Sequence, residues 1–224
     1  MKLKACVIVF PGSTCDYDTH HVMSLLGVET DLVWHDNHNL QKYNIIFLPG
    51  GFTYGDYLRA GAIARFSPSL KVLGELLERD RGFVVGICNG FQILTESHFL
   101  SGALARNHGL KFLCKKVKVR IENNETPFTH LFETGEELDL WIAHSEGRYL
   151  VDYESLEDMK RKKQIFLRYS GENPNGSIDN IAGIMNENMN VFGLMPHPER
   201  VAEKILGDER GVLFFKSLIE WLKK

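Results

Sequence analysis

Three short, continuous apolar runs, each broken by glycine or proline, constrain this chain most. Ala5-Cys-Val-Ile-Val-Phe10 stops at Pro11-Gly12, Asn44-Ile-Ile-Phe-Leu48 stops at Pro49-Gly50-Gly51, and Gly82-Phe-Val-Val-Gly-Ile87 runs into Cys88-Asn89-Gly90. Runs of this length without polar alternation suit strands covered on both faces. The segments between them carry helical signals. Ser13 or Thr14 is placed to cap a helix with Val22, Leu25 and Leu26 on one face and Gly27 as its stop. A strand is expected near Thr30 to Trp34, a helix over Leu70 to Leu77, and another from Asn89 to Glu96. Strands alternating with helices predict an α/β fold, with a central, largely parallel sheet flanked by helices.

Beyond residue 114 the texture changes. Lys118 to Ile121, Leu138 to Ile142, Ile165 to Tyr169, Ile181 to Met185 and Val191 to Leu194 read as short strands of a more antiparallel half, the last two joined by a hairpin at Glu187-Asn-Met-Asn190. Val212 to Leu222 reads as a closing amphipathic helix. The cluster Lys160-Arg-Lys-Lys163 reads as the solvated end of an acidic helix. No linker or repeat interrupts the pattern, so residues 1–224 are expected to form a single domain.

Composition narrows the function classes. The 26 Lys+Arg against 29 Asp+Glu give a formal charge of −3, which removes the basic footprint of a nucleic-acid binder. No apolar stretch reaches membrane-spanning length, so a cytoplasmic protein without a membrane partner is expected. Cys6, Cys15, Cys88 and Cys114 form no C-x-x-C pair and no zinc-ligand spacing, so no metal is expected and each is a separate thiol.

Cys88 stands apart from the other three. It lies between Gly86 and Gly90, at the junction of a buried strand and a helix, which is the setting of a nucleophile elbow. The helix N-terminus lowers a thiol pKa and can stabilise an oxyanion. Cys6, Cys15 and Cys114 lack this glycine spacing and read as buried structural thiols.

A thiol nucleophile needs a base. Met195-Pro-His-Pro-Glu-Arg200 offers His197 between two prolines, with Glu199 two residues on, where an extended segment returns it to the same face to orient the imidazole. Oxyanion donors are expected from the Gly51 and Asn89 amides, since Pro49-Gly-Gly ends a neighbouring strand on the same sheet edge.

Together, Pro49-Gly-Gly, the Gly-x-Cys-x-Gly-x-Gln stretch at 86–92, and His197 with Glu199 resemble the class I (triad) glutamine amidotransferases, whose fold is flavodoxin-like. Further segments are similar to the glutaminase subunits of phosphoribosylformylglycinamidine synthases: residues 49–59, His-Ser-Glu-Gly-Arg-Tyr at 144–149, Pro-Asn-Gly-Ser at 174–177, and Met-Pro-His-Pro-Glu-Arg. The likeness runs from Phe10 to the final helix. Ser145 stands where the family pattern has glycine, and 152–163 matches only in general character.

The resemblance implies that Cys88 attacks the side-chain amide of glutamine, His197 transfers protons, and Glu199 orients it. It also implies that Gln92, His144 and Ser145 lie near the glutamine. Ammonia would pass to a large synthetase subunit that binds ATP and magnesium and converts formylglycinamide ribonucleotide to formylglycinamidine ribonucleotide, with a small third subunit bridging the two. This chain would carry no cofactor of its own; its length leaves no room for a synthetase domain, and no Gly-x-x-x-x-Gly-Lys-Ser/Thr loop occurs in it. Arg59, Glu146 and Arg148 read equally as surface charges or partner contacts. The residues leave three other readings open: an amidotransferase subunit of another pathway, a thiol-sensing binding subunit, and a cysteine peptidase on a related scaffold.

Overall fold

A computed structural model of the chain describes residues 3–78 and 82–224. Strand β1 (Lys4–Val9) leads through helix α1 (Asp16–Leu25) to β2 (Glu29–Trp34) and β3 (Ile45–Leu48). Helix α2 (Pro68–Glu78), β4 (Phe83–Ile87) and α3 (Asn89–Glu96) follow. The second half holds β5 (Ala103–Ala105), β6 (Leu113–Ile121), β7 (Glu137–His144), β8 (Arg148–Leu150), α4 (Tyr153–Arg161), β9 (Ile165–Tyr169), β10 (Ile181–Met185), β11 (Val191–Leu194) and α5 (Val212–Trp221).

Nine strands form one mixed sheet in the order β2-β1-β3-β4-β11-β10-β9-β6-β7. Strands β2, β1, β3, β4 and β11 run parallel to one another. From β11 outward through β10, β9, β6 and β7 every pairing is antiparallel. The sequence patterns explain this division. All four residues of β3 are buried, as in a strand covered on both faces, whereas β6 alternates, with Val117, Val119 and Ile121 inward and Lys118 and Arg120 in solvent.

Neighbouring residues of β11 show how both faces are filled. Gly193 lies under Phe91 of α3, while Phe192 faces the other way onto Phe128 (ring centroids 5.3 Å), which in turn meets Phe214 of α5 at 5.2 Å. The parallel strands therefore end along one edge, between helix-covered faces.

Three expectations need correction. Neither Ser13 nor Thr14 caps α1; Cys15 occupies the cap position without a side-chain bond, because the preceding loop is tied to the Gly50 carbonyl by the Thr14 and Cys15 amides (3.1 Å each). Leu25 is half exposed rather than part of the buried face, which is carried by Thr19, Val22 and Met23. Cys114 is exposed, since the alternation of β6 turns it to solvent. The basic cluster does end a helix, with Lys160 paired to Glu157, Arg161 to Asp158, and Lys163 to Glu125 in solvent. The two-stranded β5–β8 ladder had no signal in the apolar pattern.

Candidate active site

At the end of β4 the chain turns through Cys88 directly into α3. Cys88 has φ 53° and ψ −104°, a backbone conformation that costs on the order of 1–3 kcal/mol for a residue with a side chain. The surroundings enforce it. Cys88 N–H donates to the Leu194 carbonyl of β11 at 2.8 Å, and its carbonyl accepts from the Phe91 and Gln92 amides of α3. The turn closes only because its flanks are glycine: a Cβ at Gly90 would lie 1.9 Å from the Leu48 carbonyl oxygen, and one at Gly86 would lie 2.6 Å from the Gly90 backbone. The sulfur is nearly buried and sits 3.6 Å from the Ala143 carbonyl oxygen at the end of β7.

His197 follows β11, anchored by its amide to the Trp141 carbonyl of β7 at 2.8 Å. Its Nδ1 lies 2.5 Å from Glu199 Oε1, and both side chains are buried. Glu199 does not reach it from an extended segment, as the sequence suggested; Pro198–Val201 forms a 3₁₀ turn that folds the carboxylate back against the ring. Burial by itself would lower the imidazole pKa. The Glu199 carboxylate, followed by Cys88 and Cys15, outweighs it and holds His197 well above its ordinary value. His197 Nε2 and Glu199 Oε2 are buried with no hydrogen-bond partner among the described residues.

The Pro49-Gly50-Gly51 turn comes to the same edge. Gly51 approaches the residue 12–14 loop so closely that a Cβ would lie 2.6 Å from the Gly12 carbonyl oxygen, and its amide donates to no backbone carbonyl among the described residues. Asn89 is the first residue of α3, where amides have no intrahelical acceptor. Its side-chain oxygen accepts from the Thr53 amide at 3.2 Å, which ties the two loops together.

Gln92 is one turn further on, and both ends of its side chain are engaged: Oε1 accepts from Asn89 Nδ2 (2.7 Å), and Nε2 donates to the Glu146 carbonyl (2.6 Å). It thus braces the 144–149 loop against the elbow helix. His144 is buried beside His197. Asn107 Nδ2 donates to the Lys111 and His144 carbonyls, so its Oδ1 must be the acceptor that meets His144 Nδ1 (3.1 Å) and the Gly147 amide (3.0 Å). His144 Nδ1 therefore carries the proton, leaving Nε2 a buried lone pair without a partner among the described residues. Burial first, and His197 second, push the His144 pKa down to about 3. Ser145 keeps its backbone out of the left-handed region, so serine fits there without strain, and its carbonyl accepts from the Asn107 amide.

The three charged residues left open by the sequence go different ways. Glu146 is structural at this edge, accepting the Ala60 amide at 3.0 Å. Arg59 forms a forked pair with Glu96, and Arg148 donates to the Gly176 carbonyl. Sequence reasoning missed Asn107 and Cys15. No motif marks Asn107, and the absence of flanking glycines put Cys15 among the structural thiols.

Cys15, His197 and Glu199 each present a ligand atom within 4.8 Å of the others, the one such three-residue group among the described residues. By donor type the set suits a soft divalent cation. The Arg200 guanidinium, 3.0 Å from the Cys15 sulfur, places a fixed positive charge on it and opposes that use.

A strained thiol, a buried and charge-stabilised imidazole and unpaired amides at one sheet edge are equipped for acyl transfer through a thioester, the chemistry of a cysteine-dependent amidase. Residues 2–211 match the CobB/CobQ-like glutamine amidotransferase domain, and the chain belongs to that family. It is 46% identical to a chain in the structure of PurLQS from Thermotoga maritima, with a TM-score of 0.91, over 99% of this chain and 100% of that one. A glutamine amidotransferase of Thermotoga maritima is 16% identical over 99% and 98% of the two chains with a TM-score of 0.63, and shares the fold. No helix among the described residues is long and apolar enough to cross a membrane.

Proposed function

We propose that this chain is the glutaminase subunit of a phosphoribosylformylglycinamidine synthase. In this reading the Cys88 thiolate attacks the side-chain carbonyl carbon of glutamine while His197, as imidazolium, holds the proton. The amides of Gly51 and Asn89 receive the oxyanion. His197 then gives its proton to the departing nitrogen, the C–N bond breaks, and ammonia leaves a γ-glutamyl thioester on Cys88. Water, deprotonated by His197, attacks the thioester and releases glutamate and the thiolate. Glu199 keeps the ring oriented and stabilises its charged form.

Around the substrate, His144 offers its Nε2 lone pair to an amide N–H. Ser145 and Gln92 act through the loop whose position they fix. The observation that carries the chemistry is the strained Cys88 elbow facing a buried His–Glu pair, and full-length identity of 46% to a PurLQS chain supports the pathway. Exposed Phe52, Tyr57, Leu58, Leu110 and Phe112 flank the loops bearing Gly51 and Asn107, with Phe52 and Phe112 in ring contact at 6.2 Å. An apolar rim of this kind suits docking of a large synthetase subunit, with a small third subunit bridging the two. ATP and magnesium belong to the synthetase, this chain needs no cofactor or metal, and the assembly works in the cytoplasm.

The test is glutamate release from glutamine by the chain alone and with the synthetase, ATP and formylglycinamide ribonucleotide, with Cys88→Ala as control. Release that depends on Cys88 and rises with the complete mixture is the expected result. Cys88-dependent release indifferent to that partner would move the chain to another pathway, and no release in either condition would leave a thiol-bearing binding subunit.

A further inference from the structure

His197 is held through Nδ1 by Glu199, but a ring fixed at one nitrogen can still swing about that contact. Gly50 shows what stands at another edge. A Cβ built there would meet His197 Cε1 at 2.8 Å and the Cys15 sulfur at 3.0 Å, so sulfur and imidazole share the space over the Gly50 backbone. The sulfur also lies within 4.8 Å of a ring nitrogen and of the Glu199 carboxylate.

Cys15 is itself firmly placed. Its amide donates to the Gly50 carbonyl at 3.1 Å, and its carbonyl accepts both the amide and the hydroxyl of Thr19. Arg200 Nη2 donates to its sulfur at 3.0 Å, while Arg200 Nε faces Asp18 of α1 at 3.8 Å. Arg200 follows Glu199 directly, so one 3₁₀ turn supplies both the carboxylate on the imidazole and the guanidinium on the sulfur.

We propose that Cys15 is a positioning residue for His197: its sulfur, clamped by Arg200, closes an edge of the imidazole and keeps Nε2 turned toward Cys88. The inference rests on the reading of Cys88 and His197 as nucleophile and base. The ionisable and charged groups facing the ring are Glu199 and Arg200 from its own turn, Cys88 from the elbow, His144 from β7, and Cys15 and Asp18 from the start of α1. Among these, Cys15 contributes to the raised pKa of His197, as a group in polar contact with the ring would.

Alkylation of Cys88 by iodoacetamide reads the thiolate directly and needs no partner subunit. It is followed in the full chain by peptide mass mapping between about pH 5 and pH 9, for the wild type, Cys15→Ala, Cys15→Ser and His197→Ala. In Cys15→Ala the Cys88 rate at neutral pH is expected to fall about tenfold, a fraction of what a positioned base supplies. Cys15→Ser keeps an acceptor for Arg200 and is expected to stay within about threefold of the wild type. In the assembled complex, Cys15→Ala should lower kcat for glutamine about tenfold with KM changed less than about twofold.

An alkylation profile for Cys15→Ala that superimposes on the wild type overturns the proposal. Equal losses in the alanine and serine variants, together with a lowered thermal midpoint, also overturn it, by reducing Cys15 to packing. A Cys88 alkylation rate unchanged by His197→Ala removes the Cys–His pair itself and the inference with it, a failure seen without touching Cys15.

Discussion

The two halves of the sheet contribute to the candidate site in different ways. In the parallel half, β3, β4 and β11 end on one edge, and each delivers a functional group within three residues of its last strand residue: Gly51 after β3, Cys88 after β4, His197 after β11. The antiparallel half delivers loops instead. The Ala143 carbonyl, His144 and Glu146 arrive at the end of β7, and their placement depends on Asn107, 37 residues away from His144 in sequence. The lesson is a division of labour: the parallel half places the candidate reacting groups by backbone geometry, and the antiparallel half supplies a wall held by side-chain hydrogen bonds.

Substitutions in the two halves can break that comparison, and the largest effects are expected in the parallel half. If Cys88 is the nucleophile, Cys88→Ala should reduce glutamate release at least about 10³-fold while the folded chain persists in thermal unfolding. Glu199→Gln should cost about 10²-fold or more in kcat by loosening the imidazole and removing the charge that stabilises its protonated form. Gly90→Ala tests the elbow itself. With the new Cβ 1.9 Å from the Leu48 carbonyl oxygen, denaturant unfolding should show a loss of about 3 kcal/mol.

In the antiparallel half, Asn107→Ala leaves the His144 Nδ1 donor and the Gly147 amide without an acceptor, and should cost about 2 kcal/mol of stability. Its kinetic signature should be a raised KM for glutamine with kcat moved less than by Glu199→Gln. A kcat loss as deep as that of Glu199→Gln would end the division of labour.

The smallest effects concern pH, and here the two halves should act with opposite sign. His144, pushed down to about 3 from an ordinary 6.5, stays neutral when folded while the unfolded chain takes up a proton, so its contribution to stability falls as pH drops from about 6.5 toward 3. Asp56, on the loop after Gly51, is raised from 3.8 to about 6 by burial and then by Glu146, so the folded state holds the extra proton and stability falls as pH rises through that window. Between about pH 4 and pH 6 the two contributions oppose each other, so Asp56→Asn should leave the His144 slope unopposed and make stability climb more steeply with pH than in the wild type. A profile in that window unchanged by the substitution would show that Asp56 does not contribute to it.

Much of this was legible in the residues, and unevenly so. The order of strands and helices through residue 96, the hairpin before β11, the antiparallel pairing outward from it and the final helix all follow from apolar runs and their punctuation, but β11, read with the antiparallel half, also closes the parallel half by pairing with β4. These are local signals, because a strand buried on both faces must be apolar throughout. The elbow was legible for a steric reason: a turn that packs against β3 and its own helix excludes a Cβ at Gly86 and Gly90. Glu199 was reached by a wrong local argument, since the pairing with His197 is made by a 3₁₀ turn rather than an extended segment. Cys15 is buried, as expected, but its contacts were not legible because nothing within its own neighbourhood marks them; its partners, Arg200 and His197, lie about 180 residues further along the chain, across the fold.

The sequence by itself determined the elements other than β5 and β8, the parallel character of the first half and the chemical types brought to each strand end. These depend on periodicity, glycine sterics and side-chain chemistry, all readable within a few residues. Only the tertiary structure decided that Gln92 spends its amide on Asn89 and Glu146, that Asn107 fixes the tautomer of His144, and that the Cys15 sulfur rests between Arg200 and the His197 ring. A buried polar group takes whatever partner the packed chain brings within about 3 Å, and that choice is made by distant segments meeting, which no local pattern records.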